Sequence, residues 1–277
     1  MPFADALDYL AFSTETVNFR RFRLSERSQV FIDAVRESAI DHQTEIPSGT
    51  TLFRAQLGSE RKTEIPLSDD LGEFSLIEAL KPFSPERMKP LPHSATEGRV
   101  NPKGIPCLYL ASKADTAMSE VRPWRGAIIS IGTFETTRDL TLVDCTKKIA
   151  GPPRVIIGLA PQAATPERLE SENWLGIAHA FAVPVTEADN KAQYAPTQIL
   201  AEVFKAQGFD GLKYQSLLAD DVDCGFSYAL FNLNDAELVE CNVCSVKSMT
   251  HEFSGAERSL SVFTPASMVI NRDYFQG

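Results

Sequence analysis

The sequence predicts an α+β fold: a mixed, partly split central β-sheet with flanking helices. Three observations carry this reading. Apolar runs at strand spacing and at helix spacing are interspersed without the regular alternation of a βαβ repeat. No Walker loop is present, and no Gly-x-Gly-x-x-Gly follows a strand, which disfavours P-loop and Rossmann sites. There is no internal repeat, and 277 residues, 43% of them hydrophobic, suffice for one large domain or two ordinary ones.

Residues 1–48 read as a helical N-terminal extension. Ser25 suits an N-cap, and Val30, Phe31, Ala34 and Val35 recur at helical spacing with Ile40 near the same stripe. The segment is either an extra layer on the core or a surface for self-association or partner contact. Beyond the Pro47-Ser48-Gly49 break, residues 51–55 give a short strand signal. Residues 58–98 read as a long loop or flap, because Pro82, Pro85, Pro90 and Pro92 crowd together. Such loops are often functional.

Residues 105–111 form a near-continuous apolar strand, expected in the middle of the sheet. Ser112 and Asp115 then resemble a capping box with Asp in place of Glu. The helix they open carries Ala114, Ala117, Met118 and Val121 on one face and stops before Pro123. Strands are expected at 127–134 and 140–145. Thr165 caps a helix from Pro166 to about Phe181, and another helix runs from Thr197 to its terminator Gly208. A strand at 212–216, an acidic loop at 220–223 and a strand at 228–232 follow. Residues 237–277 are expected to form a C-terminal strand and tail packed on the domain at 49–236.

Charge and composition narrow the function. With 27 basic and 37 acidic residues the net charge is −10, so a general nucleic-acid-binding surface is not expected. The N-terminus lacks the basic start and apolar run of a signal peptide, and no stretch approaches 18 apolar residues. Five scattered cysteines suit reduced thiols. A cytoplasmic protein without membrane contact is expected. Cys241 and Cys244 have the spacing of half a zinc site, with His251 nearby, but a lone Cys-x-x-Cys is weak evidence; no metal is expected.

The most informative stretch runs from Gly98 to Glu120. Gly98-Arg99-Val100-Asn101-Pro102-Lys103-Gly104 is a bounded loop with two cations, Leu108-Tyr109-Leu110-Ala111 is a strand with one tyrosine, and Glu120 ends a helix. Cation, aromatic ring and carboxylate suit a phosphorylated, ring-bearing, sugar-containing ligand, and a dinucleotide such as NAD fits. Phe53-Arg54 lies upstream, and Gly208 to Ser216, including Tyr214, lies downstream. Glu120 sits where the helix dipole disfavours a carboxylate by about 0.3–1 kcal/mol, which invites a functional reading. The plainer alternatives stay open: Glu120 pairing with Arg122 or Arg125, Arg54 and Arg99 in surface ion pairs, and Tyr109 as a core tyrosine with a satisfied hydroxyl.

Together these pieces, over roughly residues 50–235, resemble the RES-domain family, named for an arginine, a glutamate and a serine, matched here to Arg54, Glu120 and Ser216. Val100 departs from the larger aromatic or polar residue the family often carries there. The resemblance implies an ADP-ribosyltransferase-like fold, a bacterial toxin that destroys cellular NAD, and a cognate antitoxin that silences it. In this reading Glu120 stabilises positive charge on the ribose as the nicotinamide–ribose bond breaks. Arg54 and Arg99 hold phosphates, Tyr109 meets the nicotinamide end by ring stacking or through its hydroxyl, and Tyr214 and Ser216 share a strand face, with Ser216 completing the pocket. Ser216 is not read as a nucleophile, since no histidine stands in a triad motif. NAD+ is substrate, not cofactor, and the acceptor is water, phosphate or a macromolecule. ADP-ribosyl transfer to a protein and a non-catalytic nucleotide-binding module are the alternatives; self-association stays open.

Overall fold

The computed structural model describes residues 2–68, 74–92, 94–147, 165–184, 191–216 and 225–249, with residues 61–68 and 74–79 in backbone only. The acidic loop at 220–223, His93, His251 and the tail beyond 249 lie outside the described residues. The chain divides into a compact unit, Met1–Lys247, and a second, Ser248–Gly277, of which only Ser248 and Met249 are described.

In chain order the elements are α1 (Asp8–Asn18), α2 (Glu26–Ser38), β1 (Gln43–Ile46), β2 (Thr51–Leu57), β3 (Glu60–Ser68), β4 (Phe74–Lys81), α3 (Pro85–Met88), β5 (Leu108–Ala111), α4 (Ala114–Glu120), β6 (Ile128–Thr136), β7 (Leu140–Asp144), α5 (Pro166–Ala182), α6 (Ala195–Ala206), β8 (Gly211–Gln215), β9 (Phe226–Leu230) and β10 (Ala236–Ser245). A 3₁₀ turn, Lys191–Tyr194, leads into α6.

Eight strands form one mixed sheet in the order β1-β7-β8-β9-β5-β2-β6-β10, and β3 and β4 pair separately. Within the large sheet only β7 and β8 are parallel. As expected, this is a mixed α+β fold with a partly split sheet. The split lies between β2 and β5, which share a single register pair, Phe53 with Ala111, whereas β2 and β6 share seven. β5 is central, as its apolar run implies.

Alternation along the strands builds a core on both faces. Val143, Leu212, Tyr214 and Ala229 meet residues of α1, α2, α5 and α6, including Phe12, Phe31, Trp174 and Phe204. Leu52, Leu108, Leu110, Phe134, Leu142 and Leu230 form the opposite layer with Met88. A smaller cluster joins Ala55, Ala111 and Ile129 to Ala117 of α4.

Helix signals read from sequence recur in the structure. Ser25 caps α2 by accepting from Ser28 N, Thr165 caps α5 by accepting from Arg168 N, and Gly208 follows α6 with φ of 93°. Four expectations are corrected. Residues 1–48 are not all helical, because β1 joins the sheet at its edge; four residues with one fully buried side chain, Ile46, leave no periodicity to read. Residues 58–98 are not irregular throughout, because β3 and β4 make a hairpin. The crowded prolines all follow it, and Pro66 is tolerated in a ladder whose strands each keep an outer edge. Ser112 forms no capping box: it continues the β5–β9 ladder, donating through N to Phe226 O and accepting at Oγ from Phe226 N, and Lys113 takes the cap position. Ile40 leaves the buried stripe and is exposed, since α2 stops at Ser38.

Cys241 and Cys244 lie on β10 three residues apart, so they face opposite sides of the strand. Cys241 packs on the layer around Leu52, and Cys244 packs on the cluster around Ala117. That placement keeps the two thiols from converging on one ion.

Candidate active site

Where β2 and β5 part, a cavity of ≈ 290 Å³ opens, walled by Phe53 and Arg54 of β2, Tyr109 of β5, and Glu120 and Val121 at the end of α4. Arg99, Tyr194, Tyr214 and Ser227 close it from the other side. Arg54, in place of the missing ladder, donates from Nη1 to Tyr109 O at 2.9 Å.

Glu120 is held at both oxygens. Oε2 meets Arg99 Nη2 at 2.8 Å, and Oε1 accepts from Ser216 Oγ at 2.7 Å and Ser227 Oγ at 3.2 Å. A carboxylate tied this way has one orientation, and its remaining face borders the cavity. The alternative pairing with Arg122 or Arg125 does not occur.

Arg99 is buried and heavily engaged. Its Nη1 donates to Phe181 O and Ala182 O at 3.1 and 3.0 Å, and its guanidinium carbon lies 5.0 Å from the centre of the Tyr214 ring. Burial pulls its pKa down, but Tyr214, Glu120 and Tyr109 push harder the other way, so the net shift is upward. A cation with these partners anchors Glu120. The expected part as a phosphate holder is a separate use of the same guanidinium, which also lines the cavity.

The loop that carries Arg99 is clamped from α6. Thr197 Oγ1 donates to Arg99 O at 2.6 Å, and Gln198 Nε2 donates to Gly98 O and Asn101 O. The Tyr109 hydroxyl belongs to the same clamp, donating to Asn101 Oδ1 at 2.7 Å and accepting from Val100 N at 3.0 Å. That hydroxyl is committed, so the ring is what Tyr109 offers a ligand. Gly98 allows this approach, because a Cβ there would stand 2.6 Å from Tyr109 Oη. Val100 is buried in the core, so its side chain does not shape the cavity wall.

Arg54 is the opposite case. Burial lowers its pKa to about 10, and among the described residues it meets no carboxylate and its buried Nε has no hydrogen-bond partner. At neutral pH it remains a cation with unspent donor capacity beside the cavity, a favourable position for an anionic group.

Tyr214 and Ser216 lie where the strand reading placed them, though β8 ends at Gln215. Tyr214 walls the cavity beneath Arg99, and burial raises its pKa. Ser216 is buried and donates to Glu120, so it supports the carboxylate from behind. Sequence reasoning missed Ser227, Tyr194 and Asn101. Ser227 had a signal, a hydroxyl two residues before Ala229 on the same face of an apolar strand. Tyr194 and Asn101 had none, since their positions follow from how α6 docks on the loop.

The RES domain family model matches residues 77–251. The span includes Arg99, Tyr109, Glu120, Tyr214 and Ser216 and leaves Arg54 outside. The arginine that meets Glu120 within it is Arg99. No curated protein sequence matches the chain. Among solved structures, the chain is similar to one in the "Crystal structure of the M.tuberculosis MbcT-MbcA toxin-antitoxin complex", at 14% identity and a TM-score of 0.38, over 76% of this chain and 92% of that chain.

Proposed function

The chain belongs to the RES-domain family, and from that membership we propose that it is a toxin-like enzyme that consumes NAD+ by breaking the nicotinamide–ribose bond. The observation that carries this reading is the juxtaposition of a two-point-anchored carboxylate, Glu120, with a buried cation, Arg54, that meets no carboxylate among the described residues, on one cavity.

The chemistry asks little of an acid. The bond between ribose C1′ and the pyridinium nitrogen breaks with its electron pair going to nicotinamide, which leaves neutral. Positive charge develops on the ribose, and Glu120, prevented from turning away, stabilises it. Oxygen of water or inorganic phosphate then forms the new bond to C1′; with water, a proton passes to solvent. Arg54 holds the diphosphate, Tyr109 presents its ring, and Arg99, Ser216 and Ser227 keep the carboxylate aimed.

Such an enzyme acting in the cytoplasm would deplete its host, so the proposal includes a cognate antitoxin protein; the family resemblance supports this part. No helix among the described residues is long and apolar enough to cross a membrane.

Incubating the purified chain with NAD+ and following free nicotinamide tests the reading. Release without any added protein supports hydrolysis or, in phosphate buffer, phosphorolysis. Release only with a target protein would replace it with ADP-ribosyl transfer, and binding without release would refute catalysis.

A further inference from the structure

The turn after α4 carries a group that the reaction above does not use. Val121 walls the cavity, and the residues that follow reach the surface, where Trp124 is 62% exposed between exposed Arg122 and Arg125. The backbone is pinned: Arg122 N donates to Ser119 O at 3.0 Å, Ala127 N to Trp124 O at 2.9 Å, and Gly126 N to Val246 O at 2.9 Å. Arg122 has φ of 46°, a conformation that side-chain-bearing residues keep only where the surroundings impose it. Neither arginine makes an ion pair among the described residues, although the chain carries a net charge of −10.

Three features converge. An exposed indole on a fixed turn is a stacking platform that loses little freedom when covered. Two unpaired guanidinium groups flank it. The cavity that Val121 walls, ≈ 290 Å³, lies at the small end of ligand sites, so a dinucleotide seated there must extend beyond it. Trp124 lies three Cα–Cα steps from Val121, which keeps their Cα atoms within about 11 Å. That lies within reach of the adenosine half of a dinucleotide whose diphosphate is held by Arg54.

We propose that Trp124, flanked by Arg122 and Arg125, is an outer subsite that stacks the adenine ring of the dinucleotide. This rests on the NAD+ reading and deepens it. The purine lies on the indole while the two arginines face the ribose and phosphate oxygens. Selection of a dinucleotide over a nicotinamide mononucleotide then comes from this turn rather than from the cavity.

Calorimetric titration of ADP into the full chain as wild type, Trp124→Ala and Trp124→Phe tests the subsite apart from the reaction. Affinity should fall ~5- to 100-fold in Trp124→Ala and largely return in Trp124→Phe, because a phenyl ring still stacks. ADP should also quench the tryptophan fluorescence of the wild type, since Trp174, the other of two tryptophans, is buried against His42. In the nicotinamide assay the Trp124→Ala loss should fall on KM for NAD+, with little change in kcat. Failure of ADP to bind the wild type, or equal ADP affinity in Trp124→Ala, overturns the subsite whatever the nicotinamide assay gives. A wild type that releases no nicotinamide yet binds ADP through Trp124 overturns the reaction and upholds the subsite.

Discussion

Arg99 and Glu120, twenty-one residues apart in sequence, meet at 2.8 Å at the wall of the cavity, and each is fixed by a second set of partners. Arg99 holds the C-terminal end of α5 through Phe181 O and Ala182 O, and Glu120 is bound to the hydroxyls of Ser216 and Ser227. One part-buried ion pair therefore joins the loop at 98–101, the end of α4, the end of α5, β9 and the residue after β8. Such a pair adds little net stability, but it sets geometry, because breaking either half strands the other.

Glu120→Gln keeps the shape and removes the charge. It should remain folded and still bind NAD+, while nicotinamide release falls at least ~10²-fold. Near-normal turnover in a folded variant would take Glu120 out of the reaction.

Arg54→Ala should separate binding from folding. Its guanidinium is desolvated and meets no carboxylate among the described residues, so removing it relieves a cost in the folded state, and the melting temperature should stay close to that of wild type. NAD+ binding should weaken by ~10-fold or more, a typical consequence of losing a charge-assisted contact. Raised salt should weaken wild type more than the variant. Arg54→Lys should recover only part of the affinity, because an ammonium lacks the two-point fork. Calorimetry with a non-hydrolysable NAD analogue decides; equal affinity in all three forms would place the phosphates elsewhere.

Tyr109→Phe leaves the ring and removes the hydroxyl that serves Asn101 and Val100. Stability should drop by about 1–2 kcal/mol in urea denaturation, the usual result of leaving buried partners unsatisfied. Turnover should fall through kcat, since the loop that aims Arg99 loosens while the ring still walls the cavity. A KM effect alone would mean that the hydroxyl acts on substrate instead.

His42 gives the fold a pH dependence of known sign. It is buried, stacked on Trp174 at 3.6 Å, and its Nδ1 lies 3.3 Å from Asp144 O. Burial holds its pKa below the ordinary 6.5. The unfolded chain therefore takes up the proton first. The contribution to stability is complete above about 6.5 and is lost as the pH falls from there toward the lower folded value. His42→Phe keeps a stacked ring and removes the proton. Between about pH 7.5 and 5.5 the urea midpoint of wild type should fall further than that of the variant. Parallel declines would refute the role of His42.

The sequence by itself determined whatever depends on short-range pattern. Apolar spacing located α2, α5, α6 and most strands of the sheet to within a few residues, and capping chemistry marked Ser25, Thr165 and Gly208, because these signals act over one or two turns of chain. The residues Arg99, Tyr109 and Glu120 were legible as a group for the same reason, lying on one loop, one strand and one helix in succession. Ser112 shows the limit: it has the composition of a cap, but the β9 strand more than a hundred residues away claims its hydrogen bonds.

Only the tertiary structure decided which polar group meets which. Two arginines looked alike in sequence, yet Arg99 bonds Glu120 and two carbonyls while Arg54 meets no carboxylate among the described residues. Ser216 reads as a pocket residue on its strand and proves to stand behind the carboxylate, with Ser227 beside it. The physical reason is that charges and hydroxyls pair through space across the gap between β2 and β5, where chain order carries no information about distance.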